Sequence, residues 1–322
     1  MLKVSNIFVL IWTILILLVS LFEYGSYKIT PILFTILLAI FFIRKIIFRQ
    51  NVFKIIMYTL LILFTIYFRI DFHYSEFGKI MSLVSWSLLI PLAFLILGHN
   101  SFYKSLSIVF YILFFFCLVD LLLYSFIHLD FSGYLGVESR HITLSKPYIR
   151  STGLFAEPGT QATAFIIILL FIKNIPKKIW IIYTVAVFLI LSPYMLLGYI
   201  RLVKLRYFII FIISIIFISF ILENRIYNIY TLQDTSALAR AESLSLLYDS
   251  LNDLNIIFKD NGFLVTDLGF YIELFVELGD VSFVLYLIFF LFSKSHIILL
   301  LLKVKAYSGW LPLFVFYKSK RN

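Results

Sequence analysis

Arg150 and Glu157 stand seven residues apart in the stretch RSTGLFAEPGTQATAF, at the start of a long apolar run. Charged residues at a membrane boundary tend to mark functional sites, because they are costly to place there. Gly153 in the same stretch would also let the backbone approach a ligand closely. Each charge has a simpler explanation as well: Glu157 precedes Pro158 and suits a helix N-terminus, and Arg150 suits an anchor at the interface. The pattern therefore predicts either a ligand site or a capped and anchored helix start.

A few other residues could carry chemistry. Glu273 and Glu277 are four residues apart, which places both carboxylates on one helix face, as a reacting pair or as a solvated or arginine-paired surface. Asp120 is a carboxylate in an apolar run, and it is expected to pair with a polar group of a neighbouring helix or to lie near the outer end of its span. The histidines show no ligand spacing, and no glycine-rich phosphate loop or Gly-x-Ser-x-Gly elbow occurs. The sequence therefore predicts neither a metal site nor a bound cofactor.

The chain that must position these residues is too apolar for a soluble protein. Of its 322 residues, 62% are hydrophobic and 14% are charged, and the mean hydropathy is +1.04. A soluble domain needs more polar residues than this to cover its core. Apolar runs long enough to cross a bilayer recur along the whole chain. The composition predicts an all-α polytopic integral membrane protein, a single domain over 1–322 with about nine to eleven membrane helices.

Basic clusters between the apolar runs predict which loops stay in the cytoplasm. The net charge is +10, and Lys and Arg gather without any acidic residue at 44–54, 173–178, 201–206 and 318–322. Positively charged loops remain on the cytoplasmic side of a membrane. Topology therefore explains the basic charge, and no nucleic-acid partner is needed.

Two large loops are predicted on the extracytoplasmic side, at 129–159 and 223–269, and the second contains an amphipathic helix suited to the membrane surface. Residues 179–200 have basic flanks on both sides and are interrupted by Pro193 and Gly198, so they are predicted to form a short or re-entrant hairpin. The predicted spans are 5–22, 29–43, 52–68, 80–97, 106–128, 160–172, 207–222 and 270–292.

The stretch that begins at Arg150 resembles the R-x-x-G-x-x-x-E-P-x-x-x-A signature of Wzy-type O-antigen and capsular polysaccharide repeat-unit polymerases. Later segments are also similar to this family. SALAR, residues 236–240, matches an S-x-x-x-R motif of a second large loop, and Gly262 stands where the family has a Gly-x-Gly-type turn. The ending VELGDVSFVLYL is similar to the family's E-x-G helix ending, with Asp280 as a departure. The first signature is filled by Arg150, Gly153, Glu157, Pro158 and an alanine at 162 or 164.

The resemblance implies a metal-independent glycosyltransferase of the bacterial inner (cytoplasmic) membrane. In this family the growing glycan leaves undecaprenyl pyrophosphate and joins the terminal sugar of a new lipid-linked repeat unit. Arg150 and Arg240 would then hold the departing pyrophosphate, since a planar guanidinium binds phosphate oxygens in pairs. Glu157 would take the proton of the acceptor hydroxyl. The further substrate-binding candidates are Arg140, Gly153, Arg225, Gly262, Asp267 and Glu273, of which the two acidic residues are the next candidates for the base.

Other functions stay open beside the polymerase. The related O-antigen ligase transfers the finished glycan to a lipid core, and its site is expected to include a histidine in the second large loop, whereas 223–269 contains none. A flippase or another polysaccharide or lipid transporter would show more helices, internal pseudo-repeats and more charges at mid-membrane. A membrane scaffold without enzymatic activity also fits the composition. A polymerase would have as partners its lipid-linked glycan substrates, the bilayer, and a chain-length regulator and flippase of the same pathway.

Overall fold

The computed structural model confirms the helical fold class in the part of the chain that it describes. Helices and the turns between them make up this part, apart from one pair of very short antiparallel strands that the sequence did not predict, β1 (Thr143–Ser145) and β2 (Tyr148–Ile149). The described residues are 6–21, 32–40, 77–97, 99–129, 143–145, 148–155, 157–172, 175–201, 205–221 and the positions 223, 227, 241, 242, 245 and 310.

The helices begin and end close to the predicted apolar runs. The largest difference is at the helix His99–Ile127, which begins seven residues before the span predicted from 106. Hydropathy marks only the apolar part of a helix, whereas the backbone hydrogen bonds continue through the polar residues before it. Residues 32–40 are also helical. The remaining helices are α1 (Asn6–Leu21), α2 (Phe77–Leu97), α3 (His99–Ile127), α4 (Pro158–Phe171), α5 (Lys177–Ile190), α6 (Met195–Arg201) and α7 (Leu205–Ile221).

The chain divides into two compact units, one formed by residues 1–102 and 239–322 and the other by residues 103–238. In the first unit, α1 packs against α2. The rings of Phe94 and Phe102 meet edge to face with their centroids 5.1 Å apart, and Phe102 also packs on Trp310 at 6.3 Å. Aromatic contacts of this kind join residues that are distant in the sequence into one core.

The second unit contains most of α3, the two strands and the helices α4 to α7. The buried rings of Phe110 in α3 and Phe165 in α4 meet edge to face, with their centroids 5.1 Å apart. Helix α4 is buried along almost its whole length and also packs against α6. An apolar helix that is buried all round occupies the centre of its unit, and α4 has this place in the second unit.

Helices α5 and α6 form a hairpin. The Tyr183 hydroxyl of α5 donates a hydrogen bond to the Met195 carbonyl at the start of α6. The rings of Trp180 and Tyr199 pack with their centroids 5.5 Å apart. Because Trp180 and Tyr183 belong to the first half of α5, these contacts require α6 to run back along α5. The predicted chain reversal is confirmed, and the side of the membrane on which it starts and ends stays a prediction.

Among the described residues, one helix is long and apolar enough to cross a membrane: the part of α3 from Asn100 to Ile127, with a mean hydropathy of 2.7. Its 28 residues extend over roughly 42 Å, which exceeds the hydrocarbon core of about 30 Å. The number of membrane crossings and the single-domain organisation stay predictions. Shorter apolar helical stretches lie at Val9–Val19, Leu88–Leu97, Pro158–Phe171 and Phe211–Phe220.

Candidate functional site

Residues 150–155 form a loop that is buried inside the second unit. The loop follows β2 and precedes α4, and all its side chains, from Arg150 to Phe155, are buried. Buried backbone outside helices and strands needs hydrogen-bond partners for its N–H and C=O groups, because an unpaired group costs free energy once water is removed. In this loop the partners come from the three helices α3, α4 and α5.

Asp120 of α3 binds the N–H groups of the loop. Its Oδ2 accepts hydrogen bonds from the backbone N–H of Thr152 at 2.9 Å and of Gly153 at 3.0 Å. The Ser151 hydroxyl lies 3.1 Å from the same oxygen and 2.9 Å from the Cys117 carbonyl oxygen. Asp120 is fully buried, and a buried carboxylate needs such donors to offset its loss of water. The polar partner predicted for Asp120 is therefore present, but it belongs to the loop before α4 and not to a helix.

Gln161 of α4 binds the C=O groups of the same loop. In the amide orientation that satisfies its hydrogen bonds, Nε2 donates to the carbonyl oxygens of Ser151 at 3.0 Å and Thr152 at 3.2 Å. Gly153 has a φ of +58°, and a Cβ at this position would collide with the Gln161 amide. Glycine alone meets both conditions without strain. Packing against Gln161 thus explains Gly153, while its contact with a substrate stays a prediction.

Arg150 lies at the C-terminal end of α5. Its Nε donates to the Ile190 carbonyl oxygen at 3.3 Å, and the neighbouring Ser151 N–H donates to Leu189 O at 3.1 Å. The last carbonyls of a helix lack partners within the helix and carry partial negative charge, so a cation is stabilising there. Helix α5 ends at this point because Leu191 adopts the left-handed conformation, with a φ of 49°. Arg150 is only 3% exposed, which an anchor at the membrane interface does not explain.

Glu157 occupies the N-cap position of α4, as the sequence predicted. Its backbone is extended, with φ −134° and ψ 145°, and Pro158 follows at the first helical position. Its carbonyl oxygen accepts a hydrogen bond from the Gln161 N–H at 3.2 Å. The side chain makes no capping hydrogen bond to the first turn of α4. The carboxylate therefore lies at the positive end of the helix without being used as a cap.

Two opposite charges thus lie at helix ends on either side of residues 151–153, Arg150 at the end of α5 and Glu157 at the start of α4. The guanidinium of Arg150 can donate to anionic oxygens, and the carboxylate of Glu157 can accept a proton. Between them, residues 151–153 are fixed by hydrogen bonds on both their N–H and C=O sides. A ligand that carries both negative charge and a hydroxyl would need these two kinds of group.

Two of the predicted site residues, Arg150 and Gly153, lie in the buried loop 150–155, and a third, Glu157, is the N-cap residue of α4. The proximity of Arg150 to Arg240 stays a prediction, since Arg240 lies outside the described residues. Within the described part of the chain, no group of three or more His, Cys, Asp or Glu residues is placed to hold a metal ion. The other predicted site residues outside the described part are Arg140, Arg225, Gly262, Asp267 and Glu273.

The motif in the sequence did not reveal the role of Gln161. Residues 161–169 are all buried, and Gln161 carries the only amide among them. A lone amide in a buried apolar stretch must find a polar partner, so its presence was a usable signal. Nothing in the local pattern, however, indicated that this partner would be the loop before the same helix.

Comparison of the chain with protein-family models, with curated proteins and with solved structures finds no match. The function of the site must therefore follow from its own residues and from the motifs in the sequence.

Proposed function

We propose that this protein is a polytopic glycosyltransferase of the bacterial inner membrane that polymerises undecaprenyl-pyrophosphate-linked oligosaccharide repeat units. In this reaction the hydroxyl oxygen of an acceptor sugar attacks the anomeric carbon of the donor glycan. The bond between that carbon and a pyrophosphate oxygen breaks, and undecaprenyl pyrophosphate leaves with the bonding electrons. A carboxylate takes the hydroxyl proton. As in the family that the motif resembles, the transfer is proposed to be metal-independent.

Apolar side chains on the outside of the helices support the membrane location. Phe126 is 80% exposed, Phe220 69% and Ile181 65%. Exposed apolar surface is unfavourable in water but needs no cover in lipid. The basic clusters between the apolar runs support a chain that crosses the membrane several times with a defined orientation. The proposed architecture has about nine to eleven membrane helices and two large extracytoplasmic loops.

The buried polar loop 150–155 is the observation that carries the proposal. Non-helical backbone at membrane depth occurs where protein surrounds it or where it lines a cavity. Here that backbone is held by Asp120 and Gln161 and contains a buried cation, Arg150. Groups that are fixed before the substrate binds are what electrostatic catalysis requires. The same loop carries the sequence that resembles the polymerase signature.

Each charged residue has a proposed role in the transfer. Arg150 and Arg240 hold the pyrophosphate, because a leaving group with this much negative charge needs more than one cationic donor. Glu157 is the proposed general base, because it is the carboxylate of the signature and stands at the start of α4. The absence of histidine from 223–269 favours the polymerase over the ligase.

Deletion of the gene in its host, followed by analysis of the surface glycan, tests the proposal. A polymerase deletion should leave surface lipid that carries a single repeat unit, and the full-length gene should restore long chains. Loss of all glycan from the lipid core would indicate a ligase. Loss of exported repeat units would indicate a flippase, and an unchanged glycan would contradict all three functions.

A further inference from the structure

We propose that Asp120 and Gln161 are positioning residues that hold Arg150 and Glu157 in the geometry for glycosyl transfer. The inference rests on the proposed function and adds residues that the motif does not include. Asp120 lies in α3, 30 residues before Arg150. Gln161 stands at a position of the signature where any residue is allowed. Neither would be selected from the resemblance alone.

Residues 151–153 are hydrogen-bonded to Asp120 through N–H groups and to Gln161 through C=O groups. On the donor side, Thr152 N and Gly153 N both reach Asp120 Oδ2, at 2.9 and 3.0 Å. On the acceptor side, Gln161 Nε2 reaches the carbonyl oxygens of Ser151 and Thr152 at 3.0 and 3.2 Å. Helix α3 thus fixes one side of the loop and α4 the other. The loop cannot shift without breaking several buried hydrogen bonds at once.

A carboxylate at position 120 fits this task better than other side chains. It accepts hydrogen bonds and donates none, so one oxygen can serve two backbone N–H groups together with the Ser151 hydroxyl. Asparagine would keep one accepting oxygen but lose the charge. Alanine would leave two buried N–H groups without this acceptor. The expected order of function is therefore Asp, then Asn, then Ala.

Asp120 acts through the loop and not on the substrate. Its side chain is fully buried and its Oδ2 is occupied by donors from the loop. The supported residues 151–153 follow Arg150 directly, and Glu157 comes four residues after Gly153. A displacement of about 1 Å in groups that bind a transition state can cost about a hundredfold in rate. Loss of the Asp120 carboxylate should therefore lower kcat more than it changes KM.

Turnover measurements on the full-length protein in lipid vesicles test the positioning role. Membranes of the deletion strain supply the lipid-linked single repeat units as substrate. Asp120→Ala should reduce kcat about a hundredfold with little change in KM, and Asp120→Asn should recover part of the loss. Ser151→Ala should reduce kcat less, because it removes one hydroxyl and leaves the bonds from Thr152 N and Gly153 N to Asp120 in place. The matched control is Ser214→Ala, which removes another buried hydroxyl, 3.4 Å from Tyr199 Oη and outside the loop, and should keep wild-type turnover.

Thiol labelling tests whether Asp120 holds the loop in place, and it needs no substrate. It therefore separates this inference from the proposed function. Leu154 follows Gly153 and is buried, so Leu154→Cys in a Cys117→Ala background should react slowly with a thiol reagent. Adding Asp120→Ala should make the cysteine reactive, and adding Ser214→Ala should not. Unchanged labelling, or wild-type kcat in Asp120→Ala, would overturn the inference. If the wild-type protein shows no polymerisation, the proposed function fails. The labelling result still decides whether Asp120 holds the loop in place.

Discussion

At the scale of the residue, Arg150 combines a structural contact with a proposed chemical role. Its Nε donates to Ile190 O, and its planar guanidinium is the group with which it would bind pyrophosphate. Arg150→Ala should abolish long-chain glycan, with a loss of about 3 kcal/mol of transition-state stabilisation. Arg150→Lys should restore only part of it, because lysine keeps the charge but lacks the planar fork. Glycan chain length per inserted protein is the measurement.

Two controls make the Arg150 result specific. Lys178→Ala removes an exposed cation from the opposite end of α5 and should leave the glycan unchanged. Arg240→Ala should match Arg150→Ala, although the two arginines are 90 residues apart in the sequence. Normal long-chain glycan from a well-expressed Arg150→Ala or Arg240→Ala variant would refute the pyrophosphate clamp.

Glu157 offers a test that separates a base from a helix cap. Glu157→Gln keeps an oxygen acceptor near the helix start but cannot take a proton at neutral pH. If Glu157 is the base, the glycan should be lost as completely as in the Arg150→Ala variant. Because the side chain makes no capping hydrogen bond to α4, loss of a cap would not account for a lost glycan. A wild-type glycan pattern would assign Glu157 to the helix end alone.

Substitution of Gly153 is constrained both by its backbone conformation and by its packing. A side chain there would have to adopt the left-handed conformation, at about 1–2 kcal/mol. Its Cβ would also press on the Gln161 amide, and overpacking of this kind costs about 1–3 kcal/mol. Gly153→Ala should therefore lower the midpoint of thermal unfolding in detergent.

The control for Gly153 is Gly159→Ala. Gly159 lies in the first turn of α4, where alanine favours the helix over glycine by about 1 kcal/mol. The midpoint of thermal unfolding of the Gly159→Ala variant should therefore not fall. Equal midpoints for Gly153→Ala and the wild type would contradict the contact between Gly153 and Gln161.

The sequence drew attention to the candidate residues in and beside this loop, but it did not indicate which residues contact them. Arg150, Gly153 and Glu157 were recognisable because glycine, proline and charge are unusual at the start of an apolar run. Asp120 was also noticeable, but its contact with Thr152 joins residues 32 positions apart. Hydropathy and spacing describe neighbours along the chain, and they do not specify which distant segments meet. The hydrogen bonds between Asp120 and residues 151–153 could therefore not be predicted from the sequence.

For the helices and the hairpin, hydropathy was enough to predict the helix positions. The interruptions in the apolar run 179–200 were enough to predict that the chain reverses there. The predicted spans 5–22 and 160–172 correspond closely to α1 and α4. The break predicted from Pro193 and Gly198 corresponds to the turn between α5 and α6, but Gly198 itself lies inside α6. Its role is packing, which no local pattern indicates: a Cβ there would collide with the Tyr183 side chain.

The contact between Gly198 and Tyr183 predicts how the hairpin responds to mutation. Gly198→Ala should destabilise the protein by about 1–3 kcal/mol, because the added methyl group forces Tyr183 away from α6. In a Tyr183→Leu background the same change should cost less, since the colliding hydroxyl and ring are gone. Thermal unfolding of the four proteins in a double-mutant cycle gives the coupling energy. Additive effects would show that the two residues do not contact each other.

At the scale of the whole molecule, the proposed reaction requires that two distant loops share one side of the membrane. The sequence predicts this arrangement for 129–159 and 223–269, because basic clusters at 173–178 and 201–206 lie on the other side. The α5–α6 hairpin agrees with it, since a segment that runs back on itself does not change sides. The predicted spans 160–172 and 207–222 would then be two crossings between the loops and would return the chain to the side where it began.

Cysteine accessibility tests this topology in intact cells. In a Cys117→Ala background, Ser132→Cys and Ser250→Cys place one thiol in each large loop, and Asn174→Cys places one in a predicted cytoplasmic loop. A membrane-impermeant thiol reagent should label the first two proteins and should label the third only after the membrane is opened. The physical reason is that positively charged loops are retained in the cytoplasm while the polar loops between them are exported. Labelling of Ser132→Cys and Ser250→Cys from opposite sides would require an odd number of crossings between them, and Arg150 and Arg240 could then not bind one pyrophosphate.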